Sequence, residues 1–510
     1  MDVSSRILRG VTSGAALTVV SLLVTFVQFR LILEFLPKEI AGAWFLFLTI
    51  GIYIAFFDLG VSPTLGREIS FTQGTSQLPP TEQYKLAADL AATALRIFFV
   101  LALGVLLLGG VLGGFSLWSI APVGSAQTIC VAWVIFCVGA SVNLLGGAPY
   151  ALLYGFGYVA SERMIRAAVQ LVGLAASALG LYLGFGIIGL AAVWALQGLF
   201  GQLLAWKLLY HHEPMLTEVR GQASKTILKK IVSPSLKWAV TALGAILTLQ
   251  TGSVVIATTL GLGSIPAYEA IVKIATALMN FSLLIAMSSA PFLSRHYAAN
   301  DMVAFNVILL RGVRYGMSFT AVFVAFLAVF GDRVIEVWLG SGYFGGFPVL
   351  WTLLIMVLLE VHHVALAIGV MATGRIVFMW PAFVAGLLNV ILAFILVHPL
   401  GIWGVALAIM ISQLLTNNWY APYVAFKLLN ISLERYLKDV IYPIIVILIV
   451  IVVASMTMKY LTDGLLPVYS VLISLSGVAV IGVALAICHT MTGAERRVLL
   501  HRIRSMKKAA

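Results

Sequence analysis

The chain has 510 residues, 62% of them hydrophobic and only 10% charged, with a formal net charge of +12. Soluble domains carry about 25% charged residues, so the composition excludes a soluble globular enzyme. The cysteines Cys130, Cys137 and Cys488 all fall in apolar runs and have neither metal-ligand nor redox-motif spacing, so no metal centre, disulfide framework or other cofactor is expected.

A bilayer span takes roughly 20 apolar residues. Fourteen such runs follow one another, at about 11–34, 42–63, 90–112, 126–154, 167–185, 187–209, 235–258, 267–292, 305–331, 348–372, 379–398, 402–426, 440–461 and 467–489. Backbone polar groups in lipid must be satisfied within the segment, so each run is predicted as a helix; a barrel would show short alternating strands instead. The first run is too long for a signal-peptide core and is followed by no small-residue cleavage site, so it reads as an uncleaved first span. With the N-terminus inside, every Lys and Arg except Arg30, Lys38, Lys273, Arg333 and Lys459 falls on the inner side. That bias predicts a membrane protein with both termini cytoplasmic. The net charge is then a signature of topology, with some attraction to anionic lipid, and no nucleic-acid partner is implied. The tail at 496–504 reads either as a short amphipathic helix on the membrane or as a disordered basic segment.

The longest inner loops are about 64–89 and 208–234, and the second divides six spans from the next six. Two short repeats agree with that division. Pro63-Thr64-Leu65-Gly66-Arg67 and Pro291-Phe292-Leu293-Ser294-Arg295 both read P-x-L-x-R at the inner ends of spans 2 and 8. Gly186-Ile187-Ile188-Gly189 and Gly401-Ile402-Trp403-Gly404 open spans 6 and 12. An offset of six spans preserves orientation, which predicts parallel repeats about an axis along the membrane normal. The expected fold is an all-α polytopic membrane protein of about 14 transmembrane helices, with two pseudo-symmetric six-helix lobes plus two C-terminal helices. The predicted divisions are an N-terminal lobe over 1–210, a cytoplasmic linker over 211–234, a C-terminal lobe over 235–426, two added helices over 427–489 and a basic tail over 490–510.

The segment Phe35-Leu36-Pro37-Lys38-Glu39-Ile40-Ala41-Gly42-Ala43-Trp44, followed by Phe57-Asp58-Leu59-Gly60-Val61-Ser62 and then Arg67, resembles the polysaccharide flippases of the multidrug/oligosaccharidyl-lipid/polysaccharide exporter superfamily. The Gly-Ile-x-Gly openings are also common there. Pro37 stands where that family usually has Gly. Many O-antigen flippases have twelve spans, and fourteen is better known from lipid II flippases. The resemblance implies two helical bundles alternating between inward- and outward-open states. It implies an undecaprenyl-diphosphate-linked oligosaccharide as substrate, and polysaccharide polymerases or glycosyltransferases as candidate partners beside the membrane lipids.

A charge at bilayer depth costs about 2.5–3.5 kcal/mol on insertion scales, so each one calls for a reason. Arg30 and Glu34, one turn apart, form either a local pair or a cavity site for diphosphate or sugar. Asp58 either caps loop amides or pairs with Arg67, or else serves as a gate or coupling group. Glu269 and Lys273 have the favourable i,i+4 order for a self-neutralising pair; the resemblance, in which the first two helices of each lobe line the cleft, makes them a cavity site that Gln250 would share. Arg311 and Arg314 are either snorkelling anchors or a first contact for the diphosphate. Glu360, His362 and His363 lie near the middle of span 10, where a proton relay is the functional reading. Adjacent histidines point apart on a helix, which speaks against a metal site. The intramembrane residues Asn143, Gln170, Gln197, Gln202, Asn280, Asn389 and Gln413 are expected to make interhelical hydrogen bonds.

A polymerase, ligase or glycosyltransferase would resemble proteins with a large catalytic outer loop, and here the longest, about 332–347, holds only Asp332, Arg333 and Glu336 as acidic or basic residues. An ATP-driven pump would need a G-x-x-x-x-G-K-[ST] loop, which the sequence lacks. A multidrug cation antiporter of the same superfamily would carry acidic groups with few cationic ones, whereas Arg30, Asp58, Glu269, Lys273 and Glu360 are mixed. A lipid II flippase is the nearest alternative in mechanism.

Overall fold

The computed structural model describes residues 3–74, 79–375 and 377–491. Those residues are helical almost throughout and include no strand. The predicted tail helix at 496–504 lies outside them. All fourteen predicted spans fall on helices, and twelve helical stretches meet a strict length-and-apolarity requirement for crossing a membrane. The other two predicted spans, 305–331 and 402–426, lie on a 38-residue helix and on a helix broken in two.

The chain forms two compact units, Met1–Pro266 and Ala267–Ala510. The sequence repeat divides the chain earlier, in the loop after span 6. By contact, the helix of span 7 belongs with the first unit, because its neighbours are the helices of spans 2 and 3.

The first unit contains α1 (Val3–Phe35), α2 (Lys38–Phe56) and α3 (Val61–Gly74). Next come α4 (Pro80–Gly104), a π turn (Val105–Gly109) and α5 (Gly110–Ile120). They are followed by α6 (Ala126–Leu145), α7 (Gly147–Gly155), α8 (Val159–Tyr182), α9 (Gly186–His212), the single turn α10 (Met215–Glu218) and α11 (Lys225–Thr259). Its core is aromatic. Trp44 and Phe47 of α2, Trp133 and Phe136 of α6, and Trp194 of α9 stack or meet edge to face, with Phe136 and Trp194 centroids 4.2 Å apart. The π turn disturbs the regular carbonyl ladder, and the indole N–H of Trp133 donates to the carbonyl of Gly109 at 3.0 Å. Gly42 lies against the 3-10 turn Leu262–Ser264, where a Cβ would run into the Leu262 carbonyl. Helices α1 and α8 run parallel and share a polar seam. Ser21 donates to Gln170 at 2.8 Å and Gln28 to Ser177 at 3.5 Å, seven residues further along both helices. In an apolar surround such bonds register one helix on another.

The second unit contains nearly all of α12 (Ile265–Met287), then α13 (Ala290–Ala298), α14 (Met302–Leu339), α15 (Phe347–Ala372), α16 (Met379–Leu400), α17 (Ile402–Leu415), α18 (Asn417–Leu429) and the turn α19 (Leu433–Tyr436). Past a π turn (Leu437–Ile441) come α20 (Tyr442–Leu461), α21 (Pro467–Leu485) and a final π turn (Ala486–Thr490). Helix α14 is its spine, packed by α13, α15, α20 and α21. The two added helices are pinned to it at its C-terminal end: Lys459 pairs with Asp332 at 2.9 Å, and Arg333 pairs with Asp463 at 2.6 Å and donates to Ser470 at 2.5 Å.

Prolines sit in the first turn of α4, α13, α15 and α21, where a missing N–H costs nothing and φ is already helical. The two sequence repeats have local structural counterparts. Each P-x-L-x-R motif opens a short helix, α3 or α13, just after a break in its span, and Leu65 and Leu293 are both fully buried. Each Gly-Ile motif starts with a glycine of positive φ, +57° at Gly186 and +58° at Gly401, turning the chain from one helix straight into the next.

Candidate functional site

In the first unit, the residues singled out from the sequence do not gather. Arg30 and Glu34 are both exposed, and no ion pair joins them; their stripe on α1 continues through Val27, Leu23 and Val19, also exposed. Asp58 occupies the break between α2 and α3, where Leu59 and Gly60 take positive φ. Its carboxylate accepts from the N–H of Ser62 at 3.0 Å and from the Ser62 hydroxyl at 3.2 Å, a cap on the first turn of α3. Gln250 is half-buried on α11 beside Thr251, whose hydroxyl lies 3.0 Å from that of Tyr53 on α2.

The charged centre of this unit is one the sequence reading missed. Glu68, immediately after Arg67, is only 6% exposed. Its two oxygens meet Arg67 at 3.2 Å and Lys230 of α11 at 2.6 Å. Both cations remain exposed, and the Arg67 guanidinium also lies 5.9 Å from the Phe71 ring. Two cations on one carboxylate leave a net positive, pre-positioned group at the basic end of the helices. The P-x-L-x-R motif pointed at Arg67, but the contact with Lys230 joins residues far apart in sequence and carries no local signal.

In the second unit, Glu269 and Lys273 form the expected i,i+4 pair on α12, 3.0 Å apart, with Glu269 only 5% exposed. Arg311 is exposed on α14, and Arg314, one turn on and half-buried, lies against the Tyr315 ring at 5.5 Å. The dense polar centre surrounds Glu360, midway along α15. Gln413 donates to Glu360 Oε2 at 3.0 Å, and Asn417 donates to Gln413 Oε1 at 2.7 Å. His363 Nδ1 lies 3.5 Å from the same Glu360 oxygen and 3.0 Å from Asn418 Oδ1. Nδ1 thus lies between a carboxylate oxygen and a side-chain amide. His362 points the other way, as expected of its neighbour in a helix, and its Nε2 lies 2.6 Å from the hydroxyl of Tyr436. The partner of Glu360 is therefore His363, while His362 belongs to a separate contact with α19.

This network sits where α17 breaks into α18, at Thr416 with φ −126° and ψ −84°. The break brings Gln413, Asn417 and Asn418, all on one local stretch, into one network with Glu360, Gln413 directly, Asn417 through Gln413 and Asn418 through His363. Gln413 and Asn418 are both buried. A buried polar network of this kind is costly unless satisfied, and when satisfied it holds its helices in one arrangement. Chemically it can hold or exchange a proton and can change the packing of α17 and α18 when it does.

Comparisons place this architecture among known membrane transporters. A lipid II flippase, MurJ, in an inward closed conformation superposes with a TM-score of 0.63 over 91% of this chain and 97% of its own, at 16% identity. An inward-facing multidrug resistance MATE family transporter of the MOP superfamily gives a TM-score of 0.66 over 81% of this chain and 96% of its own, at 17% identity. At such identities the likeness is one of fold: the protein has the MurJ- and MATE-like fold of polytopic transporters. In sequence it is 23% identical to "Uncharacterized membrane protein EpsK" of Bacillus subtilis (strain 168) over 326 residues, which span 59% of this chain and 62% of that relative. No family model matches the chain.

Proposed function

We propose that this protein is a flippase that moves an undecaprenyl-diphosphate-linked oligosaccharide from the cytoplasmic to the periplasmic leaflet of a bacterial inner membrane, with both termini cytoplasmic. Translocation proceeds by alternating access between two helical lobes. The observation that carries this reading is the Arg67–Glu68–Lys230 group. A buried carboxylate holds two solvent-facing cations at the basic end, which suits a diphosphate arriving from that side. Arg30, Gln250, Glu269, Lys273, Arg311 and Arg314 are further contacts for headgroup and sugars, and Asp58 holds the bend of span 2. The Glu360–His363–Gln413 network is the coupling element, driven by a proton or another cation rather than by ATP. The chain is proposed to act with polymerases or glycosyltransferases and to catalyse no reaction itself.

The decisive measurement is made in cells lacking the gene. Lipid-linked oligosaccharide is quantified and its leaflet read with a non-permeant glycan-modifying probe. Accumulation on the cytoplasmic side, reversed by the wild-type gene but not by the Arg67→Ala/Lys230→Ala double variant, supports the proposal. Unchanged amount and sidedness, with altered resistance to cationic drugs, would overturn it in favour of the antiporter.

A further inference from the structure

The segment between α9 and α11 behaves unlike a tether. Glu213, at the end of α9, accepts from the hydroxyls of Tyr84 at 2.5 Å and Tyr158 at 2.7 Å. The chain is extended at Val219 and again at Ser224. Between them it runs along α4 in register. The Arg220 carbonyl accepts from Lys85 at 2.6 Å, the Gln222 N–H donates to Asp89 at 2.6 Å, and the Ser224 N–H donates to Thr93 at 3.2 Å. Lys85, Asp89 and Thr93 are spaced by four on α4, and their partners are spaced by two.

The spacing has a geometric cause. Four helical residues rise about 6 Å, and two extended residues span roughly 6.6 Å. Alternate backbone groups of an extended chain therefore meet successive turns of a helix without strain. Lys85 also pairs with Asp89 at 3.2 Å, so the two side chains that bond the strap hold each other. Gly221 is required by the close approach: a Cβ there would run into the Ala88 carbonyl and lie 3.1 Å from the Ala92 methyl. The strap then hands over to α11, whose first turn is capped by the Ser224 hydroxyl at 3.3 Å from the Thr226 N–H. Two turns on, Lys230 reaches Glu68. Towards the other end, Thr251 of α11 meets Tyr53, and the turn after the helix packs on Gly42.

We infer that residues 213–224 are a registered strap which makes α11 part of the first unit, so that α11 travels with α2, α3 and α4 whenever the molecule changes conformation. The linker that divides the sequence repeat is then a fixed element, and the flexible joint of the chain lies beyond α11. The joint movement of α11 with the first unit rests on the transporter reading; the strap itself does not.

Two measurements test it. The first needs no transport: amide hydrogen exchange on the full-length protein in nanodiscs. The Gln222 and Ser224 amides should be protected to the same degree as the α4 backbone. Inserting one Gly after Gly221 should speed their exchange at least about tenfold, because a one-residue slip turns the bonded groups away from α4. Fast exchange in the wild-type protein, or no effect of the insertion, overturns the strap. The second uses the Thr93→Cys/Ser224→Cys protein bridged by a short bifunctional thiol reagent, assayed for leaflet sidedness of lipid-linked oligosaccharide in cells lacking the native gene. Transport equal to that of the unbridged double variant is expected. Loss on bridging, restored by reduction, would show that the strap must open and would overturn the inference. If neither form transports anything while the wild-type protein also fails, the flippase reading has failed and the exchange result still stands.

Discussion

The two units use their charges differently. In the first, the prominent ionic contacts lie at the basic end: Glu68 between Arg67 and Lys230, and Asp89 with Lys85 under the strap. Their cations reach solvent even where the carboxylate, as at Glu68, is buried, so they staple surfaces together with modest net stability. In the second unit, Glu360 is surrounded by Gln413, His363 and, through them, Asn417 and Asn418, well inside the helices. There the same chemistry carries a large penalty if any partner is removed. One unit has the character of a clamped frame and the other of a switch, and that contrast orders the expected effects of mutation.

The largest effect is expected at Glu360. Glu360→Ala leaves the Gln413 amide without its acceptor and His363 with Asn418 alone, and should cost roughly 2–3 kcal/mol, seen as a lower thermal midpoint in detergent. Glu360→Gln keeps an acceptor and should cost less than about 1 kcal/mol, yet abolish leaflet transfer if this group couples the cycle. A variant that loses neither stability nor transport would erase the contrast between the units.

Lys459→Met comes next. It strips the Asp332 carboxylate of its cation at the far end of α14 while keeping the apolar stem. Both groups are about one-third open to solvent, so the cost should be about 1–2 kcal/mol, below that of a fully buried pair. Loosening of α20 should show as faster hydrogen exchange there and not in the first unit.

The two broken spans sharpen the comparison at a finer scale. Span 2 closes its break with the Asp58 carboxylate on the Ser62 N–H. Span 8 closes its own with hydroxyls that return to the preceding turn, Ser288 to Ile285 and Ser289 to Ala286. Asp58→Ala should therefore lower stability by about 1 kcal/mol, whereas Ser289→Ala should change it by less than about 0.5 kcal/mol. Equal effects would mean that the proline motif, common to both, fixes the bend alone.

A small effect on stability is also expected for Glu68→Gln, under about 1 kcal/mol, because Arg67 and Lys230 can turn to water. Its effect on leaflet transfer should be several-fold, since the two cations are no longer held together. Unchanged transfer in a stable Glu68→Gln protein would remove the cluster from the substrate path.

Much of this molecule is legible in one dimension. Apolar run length determined where the spans lie, since lipid forces any long apolar segment to satisfy its own hydrogen bonds as a helix. The prolines marked breaks and helix starts, and the Gly-Ile pairs marked turns that need positive φ, as Gly186 and Gly401 show. The charge of the i,i+4 pair Glu269–Lys273 was readable because both partners share one helix face. Only the tertiary structure decided that His363 and not His362 faces Glu360, that Gln413 is its donor, that Glu68 gathers Arg67 and Lys230, and that the 213–224 segment is bonded along α4. The reason is physical. In a soluble helix, polarity marks the outward face, but a membrane helix is apolar towards lipid and towards its neighbours alike, so its rotation leaves little trace in the sequence. Partners that depend on that rotation, or that join residues more than fifty positions apart such as Glu360 and Gln413, exist only once the helices have packed.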